Sequence, residues 1–321
     1  MKRKNDIMQN NVHAIKMNKR TIWNDRNSWS LLLLCVPAIV GYILFSYIPI
    51  VISITIPFRD YKFSKGVFGS AFVGLKNFKW IFTSPSMLAI IRNTFMYGLW
   101  FLFLGPFTNC VLALLFFEVR SRKALKAYQT IVAFPNFMSF VIVGFITYAI
   151  LSPTNGFLNE IIRLFGGNPI DVYTKPGVWP AILSIVKVWK GIGMGSMMYY
   201  ASLMGIDGSL FEAAEMDGAN RWHKMRHISI PHLVPLICIY IILGVDNLVG
   251  GSFDLFYIIP RDVSLLYETT DILNTYVYRA LVEGSYSMGS AVSFLQSLIG
   301  MVLTIIANAI VRKISPENSL F

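Results

Sequence analysis

Apolar residues in this chain come in long uncharged blocks rather than in the alternating stripes of half-buried helices or strands. Residues 27–58, 93–117, 127–159 and 284–311 contain no Asp, Glu, Lys or Arg. An uncharged apolar stretch beyond about 18 residues is long enough to cross a bilayer as a helix. Two more blocks are apolar except for isolated ionisable groups: 178–204 holds Lys187 and Lys190, and 228–249 holds His232 and Asp246. The pattern predicts six spans, at roughly 29–51, 90–116, 128–150, 179–204, 229–249 and 288–311. The expected fold class is all-α and integral to a membrane. The first block is too long for a cleaved leader, contains Pro37 and Pro49, and is followed by no small-residue cleavage site.

Between the spans the pattern predicts only short elements. Residues 156–165 read as a helix closed by Gly166-Gly167, and residues 270–281 as a helix with Asp271 at its start. Asn93 reads as a cap at the outer start of the second span. Residues 1–28 form a polar, basic tail, 29–313 the six-helix domain, and 314–321 a short C-terminal tail.

Composition supports this reading. Of the 321 residues 55% are hydrophobic and 14% charged, against about 25% charged in soluble domains. The net charge of +11 follows the segments that flank the spans, so no nucleic-acid partner is expected. Lys2, Arg3, Lys4, Lys16, Lys19, Arg20 and Arg26 precede span one. Arg120, Arg122, Lys123 and Lys126 lie between spans two and three, Arg221, Lys224 and Arg226 between four and five, and Arg312 and Lys313 after six. Cytoplasmic loops collect Lys and Arg, which predicts both termini inside; the first outer loop, with Arg59, Lys62, Lys65, Lys76 and Lys79, runs against the trend. Cys35, Cys110 and Cys238 all fall inside spans and read as small apolar residues. There is no metal-ligand spacing, nucleophile elbow or phosphate loop, and no metal site or catalytic residue is expected.

One stretch breaks the oily pattern: "GSLFEAAEMDGANRWHKMRHISIPHLVP", residues 208–235. Ser209 with Glu212 three residues on has the form of a reciprocal helix cap. Gly218 suits the left-handed residue that closes such a helix, Asn220 starts a second helix through His227, and Pro231 marks entry to span five. This predicts two short helices beneath the membrane with exposed apolar residues. Composition alone leaves two readings open, an interfacial helix resting on headgroups or a knob seated in a partner's groove.

The spacing decides between them. Glu212-Ala213-Ala214, three residues, Gly218, nine residues, Ile228, then Ile230-Pro231 resembles the EAA loop of ABC-importer permeases, with Ile230 where leucine is usual. Asp217 and Ala219 flank the glycine as in sugar-type members. The segments "FVGLKNFKWIF" and "ETTDILNTYVYRA" and the ending "ANAIVRKISPENSLF" look like the branch for complex oligo- and polysaccharide uptake. The resemblance implies a six-helix permease of a bacterial cell membrane with the EAA loop cytoplasmic between helices 4 and 5. It implies a second, similar permease, a dimer of ATPase subunits carrying ATP and Mg, and an extracellular solute-binding protein that delivers the oligosaccharide. By the same resemblance Glu212, Ala213, Ala214, Asp217 and Gly218 belong to the coupling helix that docks in the ATPase, and this chain hydrolyses nothing and binds no cofactor.

Ionisable groups inside spans are costly and are therefore candidates for the substrate path. Lys187 and Lys190, three residues apart, lie near the middle of span four. Trp189 sits between them, Gly191, Gly193 and Gly195 follow, and then Tyr199 and Tyr200 near the inner end, where an interfacial belt is the other reading. Aromatic faces and cations suit an acidic sugar. Asp246 and Asn247 of span five are either ligands for hydroxyls or, for Asp246, half of an ion pair with a span-four lysine. Two alternatives remain at this point: an ABC permease for a non-sugar solute, and an ATPase-independent carrier whose loop merely rests on lipid.

Overall fold

The computed structural model describes residues 26–245 and 247–314. The chain divides after Ile56 into two units. In the first, α1 (Arg26–Tyr42) carries Pro37 within it. One π-helical turn, Ile43–Tyr47, then leads into α2 (Ile48–Ser53). Pro49 lacks the N–H that the regular ladder would use, and a π turn is one way a helix absorbs such a gap.

The second unit opens on a two-residue antiparallel hairpin, β1 (Arg59–Asp60) against β2 (Ala71–Phe72) with Arg59 opposite Phe72. The amphipathic α3 (Lys76–Thr83) follows. Next comes α4 (Pro85–Phe117), 33 residues long, or about 50 Å at 1.5 Å per residue. That exceeds the roughly 30 Å of a hydrocarbon core, so the turns before Asn93 extend past the uncharged run. Asn93 lies well inside this helix and caps nothing. Its side-chain amide instead donates to the carbonyls of Glu268 (2.9 Å) and Asp271 (3.2 Å).

Span three departs from expectation. Arg122–Phe137 and Phe140–Leu151 are bent by 100° about a short break. The first arm is α5 (Arg122–Ala133) plus a tight turn, Phe134–Phe137, containing Pro135; the second is α6 (Phe140–Leu151). Pro135 supplies no N–H to continue the ladder, and Ser139 restarts it by accepting from the Ile142 amide at 3.3 Å. The short helix α7 (Phe157–Leu164) forms as expected, closed by Gly166 at φ 75° with the Gly167 amide donating to Ile162.

Span four, α8 (Trp179–Leu203), packs along α4. Gly193 is required where α8 meets the end of α5, because a Cβ there would collide with the Val132 carbonyl. After α9 (Gly208–Met216) and α10 (Arg221–Lys224), the π turn Met225–Ser229 passes without interruption into α11 (Ile230–Leu243). The helix that carries span five thus starts at Arg221, within the polar loop and earlier than the apolar pattern suggested, and ends at Leu243. The chain resumes at α12 (Asn247–Gly250), which lies so close to α4 that a Cβ on Gly98 would sit 2.6 Å from the Leu248 carbonyl.

The last segment holds α13 (Phe253–Ile258), α14 (Leu273–Val282) and α15 (Tyr286–Ile314). Asp271 is not a cap for α14. It is buried, accepts from the Thr275 hydroxyl and pairs with Arg279, whose other arm reaches Asp262 at 3.1 Å. Arg261 and Asp262, both left-handed (φ 59° and 50°), make the turn that brings Asp262 to this cluster. Among the described residues three apolar cores stabilise the unit: one around Trp179, Leu183 and Phe256, one around Met87, Ile90 and Val292, and one around Ala113, Tyr199, Leu203 and Leu233. The expected tails lie almost wholly outside the described residues, but helix already runs from Arg26 and continues to Ile314.

Candidate coupling loop and substrate path

The interrupting stretch folds as two helices at a turn. The cap of α9 is Asp207, not Ser209: its carboxylate accepts from the Ser209 amide at 3.0 Å. That bond holds the Asp207 carboxyl below the usual carboxylate range. Ser209 and Glu212 are therefore both helical, and the Glu212 side chain points outward instead of closing back on the cap. Gly218, at φ 79°, ends α9. Its amide donates to Glu215 and that of Ala219 to Ala214, which satisfies carbonyls the helix leaves open. Asn220 caps α10 by accepting from the His223 amide at 2.9 Å.

Two contacts hold this hook from behind and a third ties its helices to each other. The rings of Phe211 and Phe117, the last residue of α4, lie 5.7 Å apart. Arg221 reaches Glu118 at 3.7 Å. Lys224 clasps Glu215 across the two helices, and that bond and charge lower the Glu215 carboxyl from its ordinary value. The sequence pattern named Arg221 and Lys224 only as flanking charges and paired none of these residues with one another. Asp207 was detectable as an acid immediately before a helical run, a signal masked by the Ser209–Glu212 spacing.

What the hook presents outward is chemically specific. Glu212, Ala213, Asp217 and Gly218 are exposed and Ala214 is half-buried. Met216 is 88% exposed, Trp222 59% and Leu210 53%. Glu212 forms no ion pair with any described residue. Exposed Met, Trp and Leu around a free carboxylate, on a rigid and prearranged helix, have the character of a surface built to be covered.

The expected substrate-path residues do not form one cluster. Lys190 turns toward the bend of span three, where its ammonium donates to the carbonyls of Asn136 (3.0 Å) and Met138 (2.8 Å) and sits over the Phe140 ring. It satisfies the carbonyls freed by the break. Tyr199 is fully buried and stacks on Tyr240 at 5.4 Å, a core residue between α8 and α11. The alternative of an interfacial belt therefore fails for it as well.

Lys187 behaves differently. Half-buried, it helps line a cavity of about 200 Å³ together with Phe101, Asn109, Tyr240 and Asn247. Its ammonium lies 5.7 Å from the Phe101 ring centre, and it forms no ion pair with a described residue. Asp246, its suggested partner, lies outside the described residues. Trp189 faces away from the core and is 41% exposed. The three glycines differ as well: a Cβ on Gly193 or Gly195 would collide with a neighbour, whereas Gly191 faces open space.

Apolar spans, a bent third helix and a braced hook between spans four and five define a multi-pass transport permease. By its sequence the chain belongs to the binding-protein-dependent transport system inner membrane component family, whose model matches residues 107–317. The polygalacturonan/rhamnogalacturonan transport system permease protein YteP of Bacillus subtilis (strain 168) is 33% identical, over 90% of this chain and 89% of its own length. Protein LplB of the same strain is 32% identical over 91% of each. The sn-glycerol-3-phosphate transport system permease protein UgpA of Salmonella typhi is 27% identical over 76% of this chain and 80% of its own. Among solved structures, a chain of a bacterial ABC transporter involved in import of the acidic polysaccharide alginate superposes with a TM-score of 0.82. It is 28% identical, over 92% of this chain and 99% of that one. A second structure, of the bacterial alginate ABC transporter in complex with an alginate pentasaccharide-bound periplasmic protein, gives a TM-score of 0.80 at the same identity, over 90% and 96% of the two chains.

Proposed function

We propose that this chain is half of the translocation pathway of an ATP-driven importer for acidic oligosaccharides, with both termini and the loop of residues 208–231 in the cytoplasm. The observation that carries the coupling part is the outward, unpaired Glu212 on a helix braced by Phe117, Glu118 and Lys224. Such a hook transmits force because its far side is fixed to α4 and its near side is free. Two ATPase subunits, holding ATP and Mg, grip this hook and its counterpart on a second permease. When they close, the pull passes through Gly218 and Arg221 into span five, which is continuous with α10. A solute-binding protein delivers the sugar on the outer side.

The acidic substrate rests on the cation Lys187 beside a cavity and on the exposed Trp189, and it agrees with the acidic polymers named for the YteP and alginate systems. Lys190 and Tyr199 serve this path indirectly, by holding span four in place; Asn247 lines it directly. The UgpA relatives favour a second reading, a small phosphorylated solute, which would exploit the same cation. Reconstituting the chain with its partner permease, ATPase and binding protein in liposomes tests both. ATP-dependent uptake of labelled uronate oligosaccharides supports the first reading. Uptake of glycerol phosphate alone supports the second, and uptake without ATPase subunits rejects both.

A further inference from the structure

A groove of about 820 Å³ runs between α4 and α8, lined along one side by Arg92, Met96 and Trp100 and along the other by Ala181 and Ile185. Each set repeats at four residues, so each forms a stripe on one helix face with steps of about 6 Å. Both stripes are exposed, Met96 at 65%, Trp100 at 54% and Ile185 at 67%. The α8 stripe continues at the same spacing to Trp189, the exposed indole placed above in the substrate path. Arg92 immediately precedes the uncharged run and so stands at the outer mouth of the groove. Among the described residues it has no carboxylate partner; its guanidinium donates to the Asn93 side-chain oxygen at 3.2 Å, which orients it. The Trp100 indole N–H donates to the Ser184 hydroxyl at 2.9 Å, which fixes the ring at the groove wall.

We infer that this groove is the outer approach to Trp189, in which Arg92 selects the carboxylate of an acidic oligosaccharide and Trp100 supports a sugar ring. The inference rests on the reading of the chain as an acidic-sugar permease and adds where that selectivity is exercised. An oriented guanidinium without an acid partner pairs with a carboxylate in two parallel bonds. A fixed indole offers an apolar face to the CH side of a pyranose. A lipid acyl chain would also fit the apolar wall, but it makes no use of a ring fixed by Ser184 or of continuity with Trp189.

The test compares a uronate trisaccharide with a neutral hexose trisaccharide as substrates of the full complex in liposomes. Arg92→Gln lowers the ratio of uronate to neutral uptake about tenfold, the effect of one charge-assisted pair; Arg92→Lys restores part of it. Trp100→Ala raises KM for both sugars more than it lowers kcat. Binding-protein-stimulated ATP hydrolysis, measured in parallel, shows that each variant assembles. An unchanged ratio in an assembled Arg92→Gln complex overturns the inference and leaves the permease reading standing. A wild-type complex that takes up neither trisaccharide overturns that reading and the inference with it. Photo-cross-linking from position 185 that captures phospholipid and never the uronate overturns the inference in favour of a lipid groove.

Discussion

The ammonium of Lys190 lies 2.8 Å from the carbonyl oxygen of Met138 and thereby fastens span four to the bend of span three. Two of the carbonyls released by that bend have no helical partner, and in a bilayer an unsatisfied carbonyl is expensive. Lys190 is thus a structural fastening, whereas Lys187, on the same helix, lines a cavity.

The two lysines should separate in mutagenesis. Lys190→Met is expected to destabilise the chain by about 1–2 kcal/mol, the scale of interhelical hydrogen bonds in membranes. Thermal unfolding in detergent would show a lower midpoint. Lys187→Met should leave that midpoint nearly unchanged and reduce uptake of acidic sugars. The account of span four fails if the two effects are exchanged.

Gly193→Ala should be among the most damaging small substitutions. Its methyl group overlaps the Val132 carbonyl, a backbone atom that cannot swing aside, and overpacking of this kind costs about 1–3 kcal/mol. Gly191→Ala, which faces open space, is the control. A stability assay that ranks the two equally contradicts the close approach of α5 and α8.

The brace behind the hook predicts a pH dependence. Lys224 lowers the Glu215 carboxyl below its ordinary value of 4.5. Such a depressed group adds stability that is fully present above the ordinary value and is lost as the pH falls through the lowered one. Limited proteolysis of the loop should therefore be slow at neutral pH and accelerate as the pH drops below about 4.5. Glu215→Gln should lose the part of this rise that the Lys224 pair causes and keep the part that protonation of the Asp207 cap causes.

Phe211→Ala removes the ring that rests on Phe117. The hook should then remain helical, because Asp207 and Gly218 still bound it, but lose its fixed bearing on α4. The expected result is ATP hydrolysis with weak coupling: uptake per ATP falls severalfold while hydrolysis persists. Equal loss of both would mean that Phe211 serves only to fold the loop.

The spans were legible because hydropathy in a bilayer acts on whole segments; the uncharged runs 93–117 and 284–311 fall almost wholly within α4 and α15. The bend was not. Pro106 and Pro235 sit inside continuous helices, so Pro135 alone could not announce a break. What distinguishes it is the pair of carbonyls capped by Lys190, 54 and 52 residues away. The loop was legible in its exposed residues and misread at its cap, because Ser209 and Asp207 are both competent and only the backbone decides between them. The neighbours of Lys190 and Tyr199 were not legible for a common reason: helical spacing gives a shared face but not which neighbouring helix that face meets.

The central claim is that α9 is gripped from the cytoplasm by a nucleotide-driven partner. A photo-reactive residue at position 213, on the exposed side of α9, tests it most directly in membranes carrying the complete transporter. The account predicts cross-links to the ATPase subunit that are lost in Glu212→Lys. Cross-links to lipid alone, or to the solute-binding protein on the opposite face, would contradict it.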